Sequence, residues 1–183
     1  MTCSLEKTIV MVGMMGAGKT AIGKALANRL GVKFVDSDAE IESAATMSIA
    51  EIFARDGEAF FRERESAVIA RLLEGPPMVL STGGGAFLRE ENRKMVAERG
   101  VSVWLDAGLD LLWNRVRHKT TRPLLRTANP KETLRELYEA RVPIYAQAEI
   151  RVEALDHYSI EAMTTAVLRA LHARPDILKE SNP

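Results

Sequence analysis

The stretch GMMGAGKT, Gly13 to Thr20, satisfies the spacing G-x-x-x-x-G-K-[ST]. Glycines at such positions let successive backbone N–H groups wrap phosphate oxygens, while the lysine reaches the terminal phosphates and the hydroxyl ligates Mg2+. Gly13, Gly16, Ala17 and Gly18 would supply the backbone, Lys19 the cation and Thr20 the metal ligand. A helix starting at Lys19 would add the positive end of its dipole. The predicted ligand is a nucleoside triphosphate with Mg2+.

Three further clusters could act beside that loop. In VDSDAE, Asp36 and Asp38 stand two residues apart, so in an extended segment they project from the same side. One carboxylate could hold Mg2+ through water and the other could orient an acceptor hydroxyl or take its proton. Helix capping by Ser37 and Glu40, an S-x-x-E box, is the competing reading. In GEAFFRERES, Arg62 follows Phe60 and Phe61, which are expected in the core, and Glu65 is spaced to orient its guanidinium for bidentate capture of a carboxylate. An exposed salt-bridged helix face explains Arg64 and competes for Arg62. STGGGAF removes three successive side chains, at Gly83, Gly84 and Gly85, either for a close-lying ligand or for a plain strand-to-helix turn.

Short apolar runs must position these residues: Thr8 to Val12, Val32 to Asp36, Met78 to Ser81, Val101 to Asp106 and Glu149 to Val152. They alternate little, as strands of a sheet covered on both faces do. Helical patterns lie between them, near Lys19 to Leu30, Ser48 to Leu73 with a break at Gly57, Glu90 to Glu98, Leu109 to Arg117, Pro130 to Ala140 and Ile160 to His172. The alternation predicts an α/β fold, a parallel sheet flanked by helices. Arg117 to Pro130 is long, polar and basic, the character of a lid over phosphates. It closes on Asn129, Pro130 and Glu132, suited to the N-cap, N1 and N3 positions. Residues 1 to 6 and those after Pro175 read as loose ends.

The 183 residues are 46% hydrophobic and 27% charged, as expected of one globular domain spanning 1–183. With 25 basic and 25 acidic residues the net charge is zero, which gives no overall support for a nucleic-acid or anionic-membrane partner. One cysteine and three scattered histidines exclude a Cys/His metal site. The H-R-D and D-F-G motifs of protein kinases are absent. No apolar run is long enough to span a bilayer, and a cytoplasmic monomer is the expectation.

IVMVGMMGAGKTAIGKALA, FVDSDAEIE, SIAEIFARDGEAFFRERE, VLSTGGGA, VWLDA, TRPLL and LRELYEARVPIY together resemble the bacterial single-domain shikimate kinases, over nearly the whole chain. The resemblance implies a three-layer P-loop kinase fold with a five-stranded parallel sheet, a mobile lid at about 117–129 and an acceptor-binding region at about 37–65. It implies transfer of the ATP γ-phosphoryl group to the 3-hydroxyl of shikimate. Asp38 would bind the acceptor hydroxyls and serve as base, and Arg62 and Arg141 would hold its carboxylate. Gly83, Gly84 and Gly85 would line the acceptor pocket, with the ring lying on their backbone. Arg122 would contact the phosphates from the lid, and Arg115 would lie against adenine. For Arg141 a helix C-terminal cation is the alternative, and for Arg115 a solvated helix residue. A kinase for another sugar acid such as gluconate, a nucleoside monophosphate kinase and a catalytically silent nucleotide switch are the competing functions.

Overall fold

In the computed structural model, which describes residues 2–119 and 125–181, strands and helices alternate along the chain. In order they are β1 (Thr2–Leu5), β2 (Thr8–Val12), α1 (Lys19–Leu30), β3 (Phe34–Asp36), α2 (Ser37–Ala45), α3 (Ile49–Glu74) and β4 (Val79–Ser81). A 3-10 turn (Ala86–Leu88) follows, then α4 (Glu90–Arg99), β5 (Gly100–Ala107), α5 (Leu109–Val116), α6 (Pro130–Tyr145), β6 (Ile150–Ala154), α7 (Ile160–His172) and β7 (Leu178–Ser181).

Five strands form one parallel sheet in the order β3-β4-β2-β5-β6. β2 takes the centre because it tolerates burial on both faces: Ile9, Val10, Met11 and Val12 are each 1% exposed or less. β6 lies at an edge and alternates buried with exposed residues. Helices flank the sheet, α1 packing on α7 and α3 on α4, which completes the expected three-layer P-loop kinase architecture. The loops after β2, β3 and β4 emerge at one end of three neighbouring strands, the end where ligands bind in open parallel sheets.

The local signals explain most element ends. Ser48 Oγ accepts from Glu51 N at 3.2 Å while Glu51 Oε2 accepts from Ser48 N at 2.7 Å, a capping box that opens α3 and contributes about 1 kcal/mol. Gly57, with φ 84°, breaks the helical path within α3 at the expected place. Asn129 caps α6 through Glu132 N, with Pro130 in its first turn. Beneath α2 and the first half of α3, Ile41, Ile52 and Phe61 form a small apolar cluster separate from the main core.

Four sequence expectations change. Asp38 is not extended: α2 begins at Ser37, and its cap is Asp36, whose Oδ1 accepts from Asp38 N at 2.9 Å and Ala39 N at 3.2 Å. The Ser37–Glu40 box therefore does not form. α6 continues past Ala140 and through Pro143 to Tyr145, because burying Tyr145 completely offsets the hydrogen bond that proline cannot make. Finally, the ends are not loose. β1 and β7 pair antiparallel, Leu5 opposite Leu178, with Ile177 and Leu178 buried and Lys7 bonded to Asp176 at 3.2 Å.

Candidate active site

Each P-loop glycine that carries the turn has a backbone other residues avoid: Gly16 sits at φ 81° and Gly18 at φ 95°. Gly18 is also the N-cap of α1, so the loop runs straight into the helix that Lys19 begins. The Lys19 ammonium folds back on the loop, donating to Gly13 O at 2.7 Å and Met14 O at 2.9 Å. Ala17 is fully buried and its N–H donates to Met14 O at 3.1 Å, so it shapes the loop from within. Thr20 opens on a cavity of about 600 Å3, as do Gly16, Gly18 and Lys19.

Asp36, Asp38, Ser81, Gly83 and Gly84 line the same cavity. The extended-strand argument for the two aspartates fails, yet both carboxylates arrive there: one from the end of β3, the other from the first turn of α2. Burial first, then the charges of Asp36 and Glu65, push the Asp38 carboxyl up from 3.8 to about 6, against the pull of Lys19 and Arg62. Its Oδ1 is buried with no hydrogen-bond partner among the described residues, a cost that an incoming hydroxyl would relieve.

The three glycines have a different neighbour from the one expected. A Cβ at Gly83 would stand 3.0 Å from both carboxylate oxygens of Asp38. At Gly84 it would lie 3.0 Å from Arg141 Nη1, and at Gly85 it would collide with the Arg62 guanidinium. The space left by the missing side chains is thus taken by the three charged groups themselves. Gly83 and Gly84 line the cavity, and Gly85, Arg62 and Arg141 stand beside it.

Arg62 is held as its spacing suggests. Its Nη1 donates to Glu65 Oε1 at 2.8 Å, its guanidinium lies 5.2 Å from the Phe61 ring centre, and Glu58 approaches its Nε at 3.5 Å. Glu65 is 1% exposed. Burial raises its carboxyl, opposed by the hydrogen bond from Arg62. Phe60 is only half-buried and carries Arg64, which remains on the surface. Arg141 sits a full turn before the end of α6, so the cation-at-the-terminus reading does not describe it. Arg115 is not merely solvated: its Nη1 donates to Gly16 O at 3.0 Å and it lines the cavity. Arg122 lies outside the described residues.

Sequence reasoning missed part of the cavity wall. Tyr158, Ser159, Ile160 and Met163, at the start of α7, face the P-loop across the cavity, and Lys119, read as lid surface, lines it too. Ile160 is 53% exposed. The available signal was Ser159, a helix cap followed by an apolar residue that no core position claims.

Among the described residues no group of three or more His, Cys, Asp or Glu is gathered to hold a metal ion. Thr20 and Asp36 nevertheless offer oxygen donors to one cavity, the donor type Mg2+ takes when phosphates and water complete its shell.

The family model for shikimate kinase matches residues 15–172. The chain is 70% identical over 178 residues to a shikimate kinase of Ruegeria pomeroyi, covering 97% of this chain and 91% of that one. It is 66% identical over 175 residues to a shikimate kinase of Cereibacter sphaeroides, covering 96% and 87%. Among solved structures it resembles the shikimate kinase from Acinetobacter baumannii in complex with shikimate, at TM-score 0.85 and 37% identity, covering 91% of this chain and 93% of that one.

Proposed function

The chain belongs to the shikimate kinase family, whose reaction moves the γ-phosphoryl group of ATP to the 3-hydroxyl of shikimate, and we propose how its residues divide that work. The observation that carries the proposal is the convergence of Asp38, Arg141 and Arg62 on three consecutive glycines beside the P-loop cavity.

The backbone of Gly13, Gly16, Ala17 and Gly18 cradles the ATP phosphates, and Lys19 leaves its carbonyl partners to bind their terminal oxygens. Arg115 lines the nucleotide's base. Thr20 and Asp36 would hold Mg2+, which neutralises phosphate charge when bound. Arg62 and Arg141 take the acceptor carboxylate as charge-assisted hydrogen bonds. Asp38 accepts a hydrogen bond from the 3-hydroxyl and takes its proton as the oxygen attacks the γ-phosphorus. Its raised carboxyl pKa makes it a stronger base than an ordinary aspartate while leaving it mostly ionised at neutral pH. Arg122, in a lid of about 117–129, would add positive charge to the transferring group and help exclude water.

The proposed setting is the cytoplasm, with one monomeric domain acting on ATP and shikimate without nucleic acid or membrane. Zero net charge supports this, and among the described residues no helix is long and apolar enough to cross a membrane. ADP release with Mg-ATP, measured with shikimate, gluconate, nucleoside monophosphates or no acceptor, tests the reading. Stimulation by shikimate alone is expected; stimulation by another acceptor would discard the roles given to Arg62, Arg141 and the glycines.

A further inference from the structure

Tyr145 is the last residue of α6, one turn after Arg141, so the two side chains share a helix face. It is 0% exposed, its ring packed in the main core 6.5 Å from that of Trp104. A buried phenol needs a hydrogen-bond partner, and this one has a specific choice: the hydroxyl donates to Gly84 O at 2.5 Å. The single hydroxyl proton is thereby used. Burial raises the Tyr145 phenol above its ordinary pKa, and the Arg141 guanidinium, which bears on the same hydroxyl, opposes that rise. A Cβ at Gly84 would sit 3.0 Å from Arg141 Nη1 and 3.4 Å from the Tyr145 oxygen, so backbone, phenol and guanidinium meet at one point.

We propose that Tyr145 is a positioning residue for the acceptor: its hydroxyl ties the Gly84 backbone to α6 and sets where the Arg141 guanidinium stands to receive the acceptor carboxylate. The inference rests on Arg141 holding that carboxylate. A long arginine side chain has many rotamers to lose on binding, and a fixed neighbour at its tip limits them beforehand. Without the hydroxyl, Gly84 O loses its donor and Arg141 its lateral support, while the phosphate loop meets Gly84 only at the Gly13 carbonyl, 3.9 Å from where a Gly84 Cβ would stand, and keeps its own turn.

The experiment is steady-state kinetics of Tyr145→Phe, Arg141→Lys and the double variant, with thermal melts. Tyr145→Phe is expected to raise the shikimate KM about tenfold and change the ATP KM less than about twofold. In the Arg141→Lys background the same change should cost much less, because the two groups act as a unit. Val142→Ala, a core-packing loss on the same helix, should lower Tm with little effect on the shikimate KM. An unchanged shikimate KM in Arg141→Lys overturns the underlying clamp. A raised KM there with none in Tyr145→Phe, fully additive costs, or an equal rise in Val142→Ala overturns the role of Tyr145 alone. Should Tyr145→Phe fail to fold, 13Cζ-tyrosine NMR of the unmodified enzyme decides. The protein has three tyrosines, and Tyr138→Phe and Tyr158→Phe assign the other two. The Tyr145 resonance should move on adding shikimate and stay with ADP; no movement with shikimate overturns the proposal.

Discussion

The two ends of the cavity are built from different materials. At the nucleotide end, eight consecutive residues, Gly13 to Thr20, supply the backbone and the two side chains, Lys19 and Thr20, that meet the phosphates and metal, and the loop is rooted in β2 at the centre of the main core. At the acceptor end, side chains from α2, α3 and α6 meet on the glycines that follow β4. Two of those helices rest partly on the separate Ile41, Ile52 and Phe61 cluster. A site made of contiguous backbone needs one local conformation, whereas a site made of dispersed side chains needs several elements in register. Substitutions of side chains brought in from other elements should therefore be severe at the acceptor end and mild at the nucleotide end.

Asp38→Asn should break the acceptor end most completely. Removing a base and hydroxyl acceptor costs about 10^2–10^4-fold in turnover, with ATP binding retained. In the unaltered enzyme kcat/KM for shikimate should fall on the acid side with an apparent pKa near 6, following the Asp38 carboxyl. The same substitution should stabilise the fold. Because the folded-state pKa lies above the ordinary 3.8, the folded state binds more protons between those values, so stability falls as pH rises through that window. A neutral amide avoids this loss, worth about 3 kcal/mol at neutral pH and a Tm increase on the order of 10 °C. An inactive variant with a lower Tm would mean that Asp38 serves the fold as well as the reaction; near-normal turnover would remove it from the mechanism.

The same contrast governs what could be read from the sequence. The P-loop, the central strand and the order of strands and helices were legible because each signal is local: glycine spacing, an unalternating apolar run, a cap. β1 and β7 were not, because each strand's partner lies at the other end of the chain and the pairing leaves no mark within either segment. The helical pattern was read only to Ala140, and the fit of Tyr145 into the core carries α6 past Pro143. Arg62, Arg141 and Gly83 to Gly85 each had an ordinary local explanation, and their shared purpose was visible only in the family resemblance. Even then the sequence did not show which groups crowd the glycines. That a Cβ would strike Asp38, Arg141 and Arg62 depends on three helices arriving together.

Arg62 offers the next largest effect. A lysine keeps the charge but not the planar fork, and it cannot hold Glu65 and a carboxylate together. Arg62→Lys should raise the shikimate KM about 10–100-fold, the range of a lost charge-assisted bond, with the ATP KM nearly constant. Gly85→Ala should approach this value without altering any charged residue, since its methyl would displace the Arg62 guanidinium. Gly84→Ala should do less, because a Cβ 3.0 Å from Arg141 Nη1 asks for a shift of only a few tenths of an ångström, whereas the Gly85 methyl collides outright. A ranking of Gly84→Ala above Gly85→Ala in shikimate KM would contradict the idea that these glycines make room for the arginines.

The smallest effect is expected at the other end and tests the comparison directly. Arg115 donates to Gly16 O at 3.0 Å and borders the nucleotide side of the cavity, so among side chains from outside the loop it is the one there with most to lose. Arg115→Ala leaves the Gly16 carbonyl near solvent, where water replaces the donor at little cost. The phosphate-binding N–H groups belong to a loop whose turn is set by Gly16 and Gly18 and by the burial of Met14 and Ala17, none of which the substitution alters. The ATP KM should rise only about two- to fivefold, with the shikimate KM and Tm unchanged within error. A rise on the scale of Arg62→Lys would show that the nucleotide end also depends on a side chain from a distant helix, and the distinction between a backbone-built and a side-chain-built half would fail.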